Sequence, residues 1–463
     1  MTLPEAFIDD IKSYLSASEL EEFVHAVSET DQTCCIRYNR AKTERDTGTP
    51  IGWNPQDGVY LAERPNFTLD PLMHAGTYYV QEASSQFVTH IIRQLVQSPV
   101  TALDLCAAPG GKSTAMLSAL PEGSQLVSNE IDRRRARILA ENVTKWGLPN
   151  VTVTSNAPAD FSRMLHQFDL ILTDVPCSGE GMFRKDEGAI KDWSPEKVRS
   201  CVALQREILA TIWPTLKPGG LLIYGTCTFN VHEDEEQLRY LCEELGAEAL
   251  SVPIEAAWGI RAPLIGNRPC YRFMPHRTQG EGLFMAVVRK GEDDAPLRQR
   301  LDKKKADKHR PNGNDRQKTA VDLKKLTPSL LSQVTCPASL ELTAEGTLRA
   351  IPDSHKALHD ALVNQGLYLL QSGIELGTVK GRDVIPAHAL ALSTVRNRTA
   401  YPEVEVDLPT ALDYLRHEAI FLPEEAPRGY VLVTYQGHAL GFVKNLGNRS
   451  NNLYPQEWRI RFL

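Results

Sequence analysis

The feature that most limits the fold is an alternation of short apolar runs with amphipathic helical stretches between positions 78 and 290. This alternation is typical of a parallel sheet with helices on both faces. The clearest helical patterns cover 132–146 and 195–216, and the predicted strands are 101–105, 125–130, 151–154, 169–173 and 221–225. We therefore predict an α/β fold with a doubly wound, Rossmann-like sheet, closed by 282–289 as an antiparallel edge strand.

The flanking segments have different patterns, which divide the chain into four regions. Residues 1–75 suggest an N-terminal α/β extension, with helices at 4–15 and 18–28 and a strand at 33–39, and residues 76–290 form the predicted sheet domain. Residues 291–325 are predicted to be a charged linker, because Lys and Arg outnumber Asp and Glu there and large apolar residues are few. Residues 326–463 are globular and strand-rich, and 430–445 alternates around a Gln-Gly turn as a hairpin in a small barrel would.

Cysteine usage and charge exclude several classes of protein. The nine cysteines include no CxxC pair, which disfavours a disulfide framework or a zinc finger and predicts no metal site. The N-terminus is acidic where a secretory signal is basic, and no apolar stretch approaches the length of a membrane span. We therefore expect a cytoplasmic protein with no membrane contact. The net charge of −7 does not exclude a nucleic-acid partner, because binding depends on where basic residues cluster.

A cofactor loop is predicted where the first strand runs through DLCAAPGGKS (104–113) into a helix. Gly110 and Gly111 would let the backbone approach a ligand, and the helix start offers free N–H groups. Glu130 ends the next strand, where a carboxylate can accept the hydroxyls of a ribose. Neither GxGxxG nor GxxxxGK[ST] occurs here, which favours a nucleoside cofactor over dehydrogenase or NTPase readings.

Two cysteines follow strand ends, in DVPCSGEG (174–181) and GTCT (225–228). Ligands of a doubly wound sheet bind beyond the carboxyl ends of its strands, so Asp104, Glu130, Asp174, Cys177 and Cys227 should converge there. The alternative is that each thiol is a small buried hydrophobe. We keep that interpretation for the cysteines outside the motifs, Cys34, Cys35, Cys201, Cys242, Cys270 and Cys336.

These motifs, preceded by YYVQEASS (78–85), resemble the NOL1/NOP2/Sun family of RNA cytosine-5 methyltransferases. The resemblance continues through FRKDEGAIKDWSPE (183–196) and KPGG (217–220). In the C-terminal half, GIELGTVKGRDVIPAHALAL (373–392) and GFVKNLGNRSNNLYP (441–455) are most similar to bacterial members that act on small-subunit ribosomal RNA. The resemblance covers nearly the whole chain.

The resemblance implies covalent catalysis with S-adenosylmethionine as methyl donor. Cys227 would attack carbon 6 of cytosine, Cys177 would assist elimination, and Asp174 would bind the base edge near ring nitrogen 3. Lys112 would support the thiolate or Asp174; the alternative is that it lies in solvent. The implied cofactor contacts are Cys106, Ala107, Ala108, Pro109, Gly110, Gly111, Lys112, Glu130, Arg135, Asn156 and Asp174, where Asn156 stands in place of the usual aspartate near the adenine.

The resemblance also implies an RNA partner, either small-subunit ribosomal RNA or the assembled small subunit, with no obligate protein partner. The regions that flank the sheet domain would bind RNA through a C-terminal barrel of the PUA type and through the segment Arg37, Tyr38 and Asn39. Within the sheet domain, Arg184 and Lys185 would contact phosphates. The presence of both cysteines disfavours a DNA cytosine methyltransferase. Two alternatives remain open: a transfer RNA methyltransferase of the same family, and a non-catalytic RNA-binding assembly factor.

Overall fold

The computed structural model describes residues 2–29, 33–292, 323–381 and 383–461. The predicted charged linker falls mostly on 293–322, which lie outside the described residues. Strands of the described part form four sheets.

The N-terminal part combines two helices with a small antiparallel sheet. Its elements are α1 (Glu5–Ile11), α2 (Ala17–Glu29), β1 (Cys35–Tyr38), β2 (Thr49–Pro50), β3 (Gly58–Tyr60), α3 (Pro71–His74) and β4 (Tyr78–Val80). The strand order in the sheet is β2-β3-β1-β4, and every pairing in it is antiparallel.

The central sheet confirms the predicted doubly wound architecture. Its elements are α4 (Phe87–Leu95), β5 (Thr101–Asp104), α5 (Gly111–Ala119), β6 (Gln125–Asn129), α6 (Arg133–Trp146), β7 (Val151–Thr154), β8 (Phe168–Asp174), α7 (Glu187–Asp192), α8 (Pro195–Ile212), β9 (Leu216–Thr226), α9 (Glu235–Glu243), β10 (Glu248–Leu250), β11 (Tyr271–Phe273) and β12 (Leu283–Arg289). The five predicted strands are consecutive parallel neighbours in the order β9-β8-β5-β6-β7. Helices α4, α5 and α6 bury apolar side chains on one face of this sheet, and α8 and α9 do so on the other.

The prediction that 282–289 is an edge strand is wrong. Strand β12 is antiparallel to β9, as predicted, but β10 and β11 both pair with its other side. Residues 283–288 are all buried and apolar, so both faces of β12 are covered, as in a strand inside a sheet.

The part beyond position 323 contributes two more sheets and extends the central one. Its elements are α10 (Leu323–Leu331), β13 (Ala338–Leu342), β14 (Thr347–Pro352), α11 (Asp353–Asn364), β15 (Leu369–Ser372), β16 (Ile374–Lys380), β17 (Asp383–Pro386), α12 (His388–Leu392), β18 (Glu403–Glu405), α13 (Leu408–Leu415), β19 (Gly429–Tyr435), β20 (His438–Asn445) and β21 (Ser450–Asn452). Strand β15 pairs antiparallel with β7 and so lengthens the central sheet. Leu358 and Leu362 of α11 join the core beneath the same sheet.

The predicted hairpin at 430–445 is confirmed as β19 and β20. Its turn residues, Gln436 and Gly437, both have positive φ angles, 49° and 75°. Two positive φ angles give the turn a twist that matches the flanking strands. No helix among the described residues combines the length and apolar content needed to cross a lipid bilayer.

Candidate active site

A cleft of about 640 Å³ opens at the carboxyl ends of the parallel strands. We call it the strand-end cleft. The predicted site residues that line it are Cys106, Ala108, Lys112, Glu130, Arg135, Asp174, Cys177 and Cys227. Six of them lie at the ends of β5, β6, β8 and β9 or in the loops that follow these strands, and Lys112 and Arg135 lie in the first turns of α5 and α6. The convergence expected from strand order is therefore present for Glu130, Asp174, Cys177 and Cys227, whereas Asp104 is fully buried and does not line the cleft.

The loop between β5 and α5 supplies one wall of the cleft. Gly110 has a φ of 112°, which an L side chain rarely adopts, and helix α5 begins at the next residue. The loop is fixed from outside, because Arg135 donates to the Ala108 carbonyl at 2.9 Å and Asn142 donates to the Pro109 carbonyl at 2.8 Å. Not all predicted contacts face the cleft: Ala107, Pro109 and Gly111 line a smaller neighbouring cavity, and Gly110 faces α6.

Glu130 follows β6 and is almost fully buried at the cleft wall. One carboxylate oxygen accepts from the Asp132 backbone N–H at 3.0 Å, and the other lies 3.4 Å from Arg135. These contacts hold the carboxylate in a single orientation. A buried carboxylate at the end of the second strand is the group that a ribose requires.

Asn156 takes part in a contact that the sequence does not predict. Its Oδ1 accepts from the Tyr368 backbone N–H at 2.9 Å, and its Nδ2 donates to the Tyr368 carbonyl at 3.1 Å. The amide thus pairs with backbone just before β15. Asn156 does not line the cleft, whereas the following residues Ala157 and Pro158 do.

Lys112 and Asp174 form an ion pair with Nζ and Oδ2 2.7 Å apart. The Lys112 side chain is only 13% exposed, so the alternative that it lies in solvent is wrong. Burial disfavours its charge, but the nearby carboxylate of Asp174 outweighs burial and raises the pKa of Lys112. The pair puts a fixed cation and a fixed anion on the wall of the cleft.

The sulfur atoms of Cys177 and Cys227 lie 3.3 Å apart at the cleft wall. The hydrogen bond between the Cys177 and Cys227 thiols raises the pKa of Cys177 well above its usual value, and burial raises it further. Cys177 therefore holds its proton at neutral pH while Cys227 is present as its partner. A nucleophile beside a second protonated thiol can serve a reaction that needs attack and proton transfer at neighbouring atoms.

The segment Arg37, Tyr38 and Asn39 is buried rather than open to a substrate. Arg37 donates to Gln81 at 2.7 Å and to Thr114 of α5 at 2.6 Å, and its guanidinium lies over the Trp146 ring. These contacts attach the N-terminal sheet to the helix that follows the cofactor loop. The prediction that these side chains lie at the substrate is wrong in this structure.

Arg184 and Lys185 differ in their surroundings. Arg184 is buried and lies 3.6 Å from Glu281, so it is not available to a phosphate. Lys185 is more exposed, lies 3.7 Å from the same carboxylate and lines the cleft. Of the two, only Lys185 keeps the position that a substrate contact requires.

Buried polar residues behind the cysteines were missed by sequence reasoning. Ser178, Glu180, Asn230, Glu233 and Asp234 are buried and bind one another or the loops that carry the two thiols. The signal available in the sequence was the acidic run from His232 to Glu236, which looks like a solvated helix start.

Comparison with known families gives three matches along the chain. The family of the 16S rRNA methyltransferase RsmB/F matches residues 95–289. The N-terminal domain of 16S rRNA methyltransferase RsmF matches residues 3–83. The methyltransferase RsmF PUA domain matches residues 401–460.

Individual proteins give the same result. The ribosomal RNA small subunit methyltransferase F of Escherichia fergusonii is 30% identical over 89% of this chain and 85% of its own length. The protein of that name from Cronobacter sakazakii is 28% identical over 98% of this chain and 96% of its own length. The crystal structure of NSun6 from Pyrococcus horikoshii with SFG has a TM-score of 0.53 at 18% identity, covering 63% of this chain and 99% of that one, which shows a shared fold.

Fold, cleft and comparisons together define an S-adenosylmethionine-dependent RNA methyltransferase. Within that class, the chain belongs to the family of ribosomal RNA small subunit methyltransferase F.

Proposed function

We propose that this protein methylates carbon 5 of cytosine in small-subunit ribosomal RNA through a covalent bond between Cys227 and the base. The observation that carries the proposal is the pair of sulfurs 3.3 Å apart beside the Lys112–Asp174 ion pair. Carbons 5 and 6 are neighbours in the ring, so a base seated against both sulfurs would offer one atom to each. The similarity to small-subunit methyltransferases supports the choice of RNA.

The residues of the cleft fit the cofactor of this class. Glu130 offers a buried carboxylate for a ribose, and the backbone around Cys106 and Ala108 faces the cleft where the methionine part would lie. When bound, S-adenosylmethionine supplies an electrophilic methyl group. The chain has to make carbon 5 nucleophilic enough to take it.

Cys227 would do this by adding as a thiolate to carbon 6. The new carbon–sulfur bond displaces the electron pair of the 5,6 double bond, so that carbon 5 becomes enamine-like and negative charge develops toward ring nitrogen 3. Asp174 is the proposed partner of the base edge near that nitrogen, and the Lys112 ammonium, 2.7 Å from Asp174 Oδ2, supplies the positive charge and the proton that offset the developing negative charge. A base must be turned out of its stack to reach this position.

Cys177 would complete the reaction after methyl transfer. Its pKa is raised chiefly by Cys227, and that influence ends once the Cys227 sulfur is bonded to carbon. Cys177 can then release its own proton to water in the cleft and, as a thiolate, take the proton from carbon 5. The electrons of that carbon–hydrogen bond restore the double bond, the carbon 6–sulfur bond breaks, and Cys227 leaves as a thiolate.

RNA recognition is assigned to the flanking regions. We propose that residues 1–75 and 326–463 are substrate-binding regions on either side of the 76–290 methyltransferase domain. The match of 401–460 to a PUA domain supports this role for the C-terminal sheet. Lys185 is the proposed phosphate contact at the cleft itself.

The test is methyl transfer from labelled S-adenosylmethionine to small ribosomal subunits, free small-subunit RNA and transfer RNA, followed by nucleoside analysis. We expect 5-methylcytosine in the subunit or its RNA and none in transfer RNA, with Cys227→Ser as the inactive control. Label only in transfer RNA would overturn the substrate. No label in any RNA would favour a binding role without catalysis.

A further inference from the structure

Glu233 and Asp234 are neighbours in the chain, are both fully buried, and each bind residues adjacent to a different cysteine. They lie between β9 and α9, behind the wall of the strand-end cleft. Neither side chain lines the cleft. Their contacts therefore act on the cysteines and not on a ligand.

Asp234 holds the loop of Cys227. The hydroxyl of Thr226 donates to Asp234 Oδ1 at 2.7 Å, and the hydroxyl of Thr228 donates to the same oxygen at 2.8 Å. These threonines are the residues immediately before and after Cys227. Arg272 lies 3.1 Å from the other carboxylate oxygen and offsets part of the cost of burying this group.

Glu233 holds the loop of Cys177 in the same way, through the residues on both sides of it. Its carboxylate accepts from the Ser178 backbone N–H at 3.0 Å and from the Ser178 hydroxyl. It also accepts at 2.8 Å from Gln205, which donates to the Pro176 carbonyl at 3.0 Å. The chain on either side of Cys177 is thus fixed to one carboxylate.

The two loops are also joined to each other. Asn230 Nδ2 donates to Glu233 and to Glu180, each at 2.9 Å, and Glu180 accepts from the Phe229 backbone at 2.6 Å. The Gly181 N–H donates to the Cys227 carbonyl at 2.7 Å. A shift of one loop would therefore break bonds that hold the other.

We propose that Glu233 and Asp234 are positioning residues that set the separation of the Cys177 and Cys227 thiols. The inference rests on the proposed function, because that reaction requires both sulfurs to reach adjacent atoms of one base. Small errors in the placement of reacting groups are costly, which explains why two buried carboxylates that contact no ligand hold the loops of the two reacting thiols.

The separation can be measured without RNA, through the rate at which diamide joins the two thiols. Diamide takes up two protons and two electrons as the sulfur–sulfur bond forms, and mass spectrometry quantifies the peptide pair linked through Cys177 and Cys227. The variants are Ser178→Ala and Thr228→Val, which each remove one hydroxyl. The matched control is Thr215→Val, a buried threonine whose hydroxyl donates to the Ile212 carbonyl at 2.7 Å.

We expect both loop variants to slow disulfide formation about tenfold relative to the unsubstituted protein, less than the roughly hundredfold loss that a misplacement of about 1 Å can cause. The conservative variant Thr228→Ser keeps the hydroxyl and should restore the rate, and Thr215→Val should leave it unchanged. Unchanged rates in both loop variants would overturn the inference. Equal slowing by Thr215→Val would also overturn it, because the effect would then be a general loosening.

A second measurement, the single-turnover reaction with small-subunit RNA, distinguishes the role of Asp234 from that of Glu233. Thr228→Val should slow formation of the covalent RNA adduct, whereas Ser178→Ala should slow its release and let it accumulate. The Kd for S-adenosylmethionine should not change in either. If the unsubstituted protein forms no adduct while the disulfide rates still respond, the proposed function is wrong and the positioning role stands.

Discussion

The Cys177 and Cys227 sulfurs lie 3.3 Å apart although 50 residues separate them in the chain. They meet because β8 and β9 are parallel neighbours, so the loops after these strands leave the same edge of the sheet side by side. This contact determines the order of events that we expect in the reaction.

Replacing each cysteine with serine should give opposite results. Cys177→Ser leaves the nucleophile and removes the base for elimination, so a covalent RNA adduct should accumulate. Cys227→Ser should give no adduct, because a serine hydroxyl remains protonated at neutral pH. A denaturing gel with labelled RNA makes the measurement, and the reverse pattern would exchange the two roles.

Asp174→Asn should lower single-turnover methyl transfer by at least about 100-fold, the range expected for loss of a positioned acid or base group. The substitution leaves the Lys112 ammonium without its counter-charge 2.7 Å away. The matched control is Asp169→Asn at the other end of the same strand, which removes a 2.7 Å contact with Lys217 far from the cleft. Equal rate losses for the two variants would contradict a role for Asp174 in the chemistry.

Asp104 should make stability depend on pH. Burial raises its pKa to about 7, and its Oδ1 has no hydrogen-bond partner among the residues that the structure describes. Between about pH 4 and 7 the folded protein therefore holds a proton that the unfolded chain releases, so the free energy of unfolding falls as pH rises, by at most about 4 kcal/mol. Asp104→Asn removes this contribution. Urea unfolding from pH 5 to 7.5 should give a flatter profile for the variant, and parallel profiles would contradict the assignment.

Asn156→Asp should destabilise the C-terminal edge of the central sheet. The aspartate cannot donate to the Tyr368 carbonyl and would place a negative oxygen against it, at a cost of about 1–3 kcal/mol. We expect faster amide exchange in β15 and a lower urea midpoint. Asn150→Asp, which loses a similar 2.8 Å bond to the Ser124 carbonyl at a half-buried position, is the control and should cost less. A tighter Kd for S-adenosylmethionine with unchanged stability would instead support an adenine contact for residue 156.

The strands, the cofactor loop and the cysteine pair could be predicted because each depends on a pattern of residues that are close together in the sequence. Apolar runs mark β5 to β9, and the carboxyl ends of β6, β8 and β9 lead to the side chains Glu130, Asp174 and Cys227 that face the cleft. The place of Asp174 and Cys227 then follows from strand order alone.

Contacts between distant segments could not be predicted in this way. Arg37 looks like a basic residue for RNA, but it is buried against α5 and Trp146, more than 70 positions away. Asn156 looks like a weakened cofactor contact, but it pairs with Tyr368. The local sequence shows which side chains are polar, but it does not show which distant residue will form hydrogen bonds with them.

Because of strand β15, the parts of the chain before residue 293 and after residue 322 should stay associated without a covalent link between them. It lies beyond residues 293–322, yet it pairs with β7, and α11 places Leu358 and Leu362 in the core of the same sheet. A peptide bond cut between Arg289 and Leu323 would leave these contacts intact. We therefore expect a protein nicked there to remain one particle, and two separately produced fragments to reconstitute it by complementation.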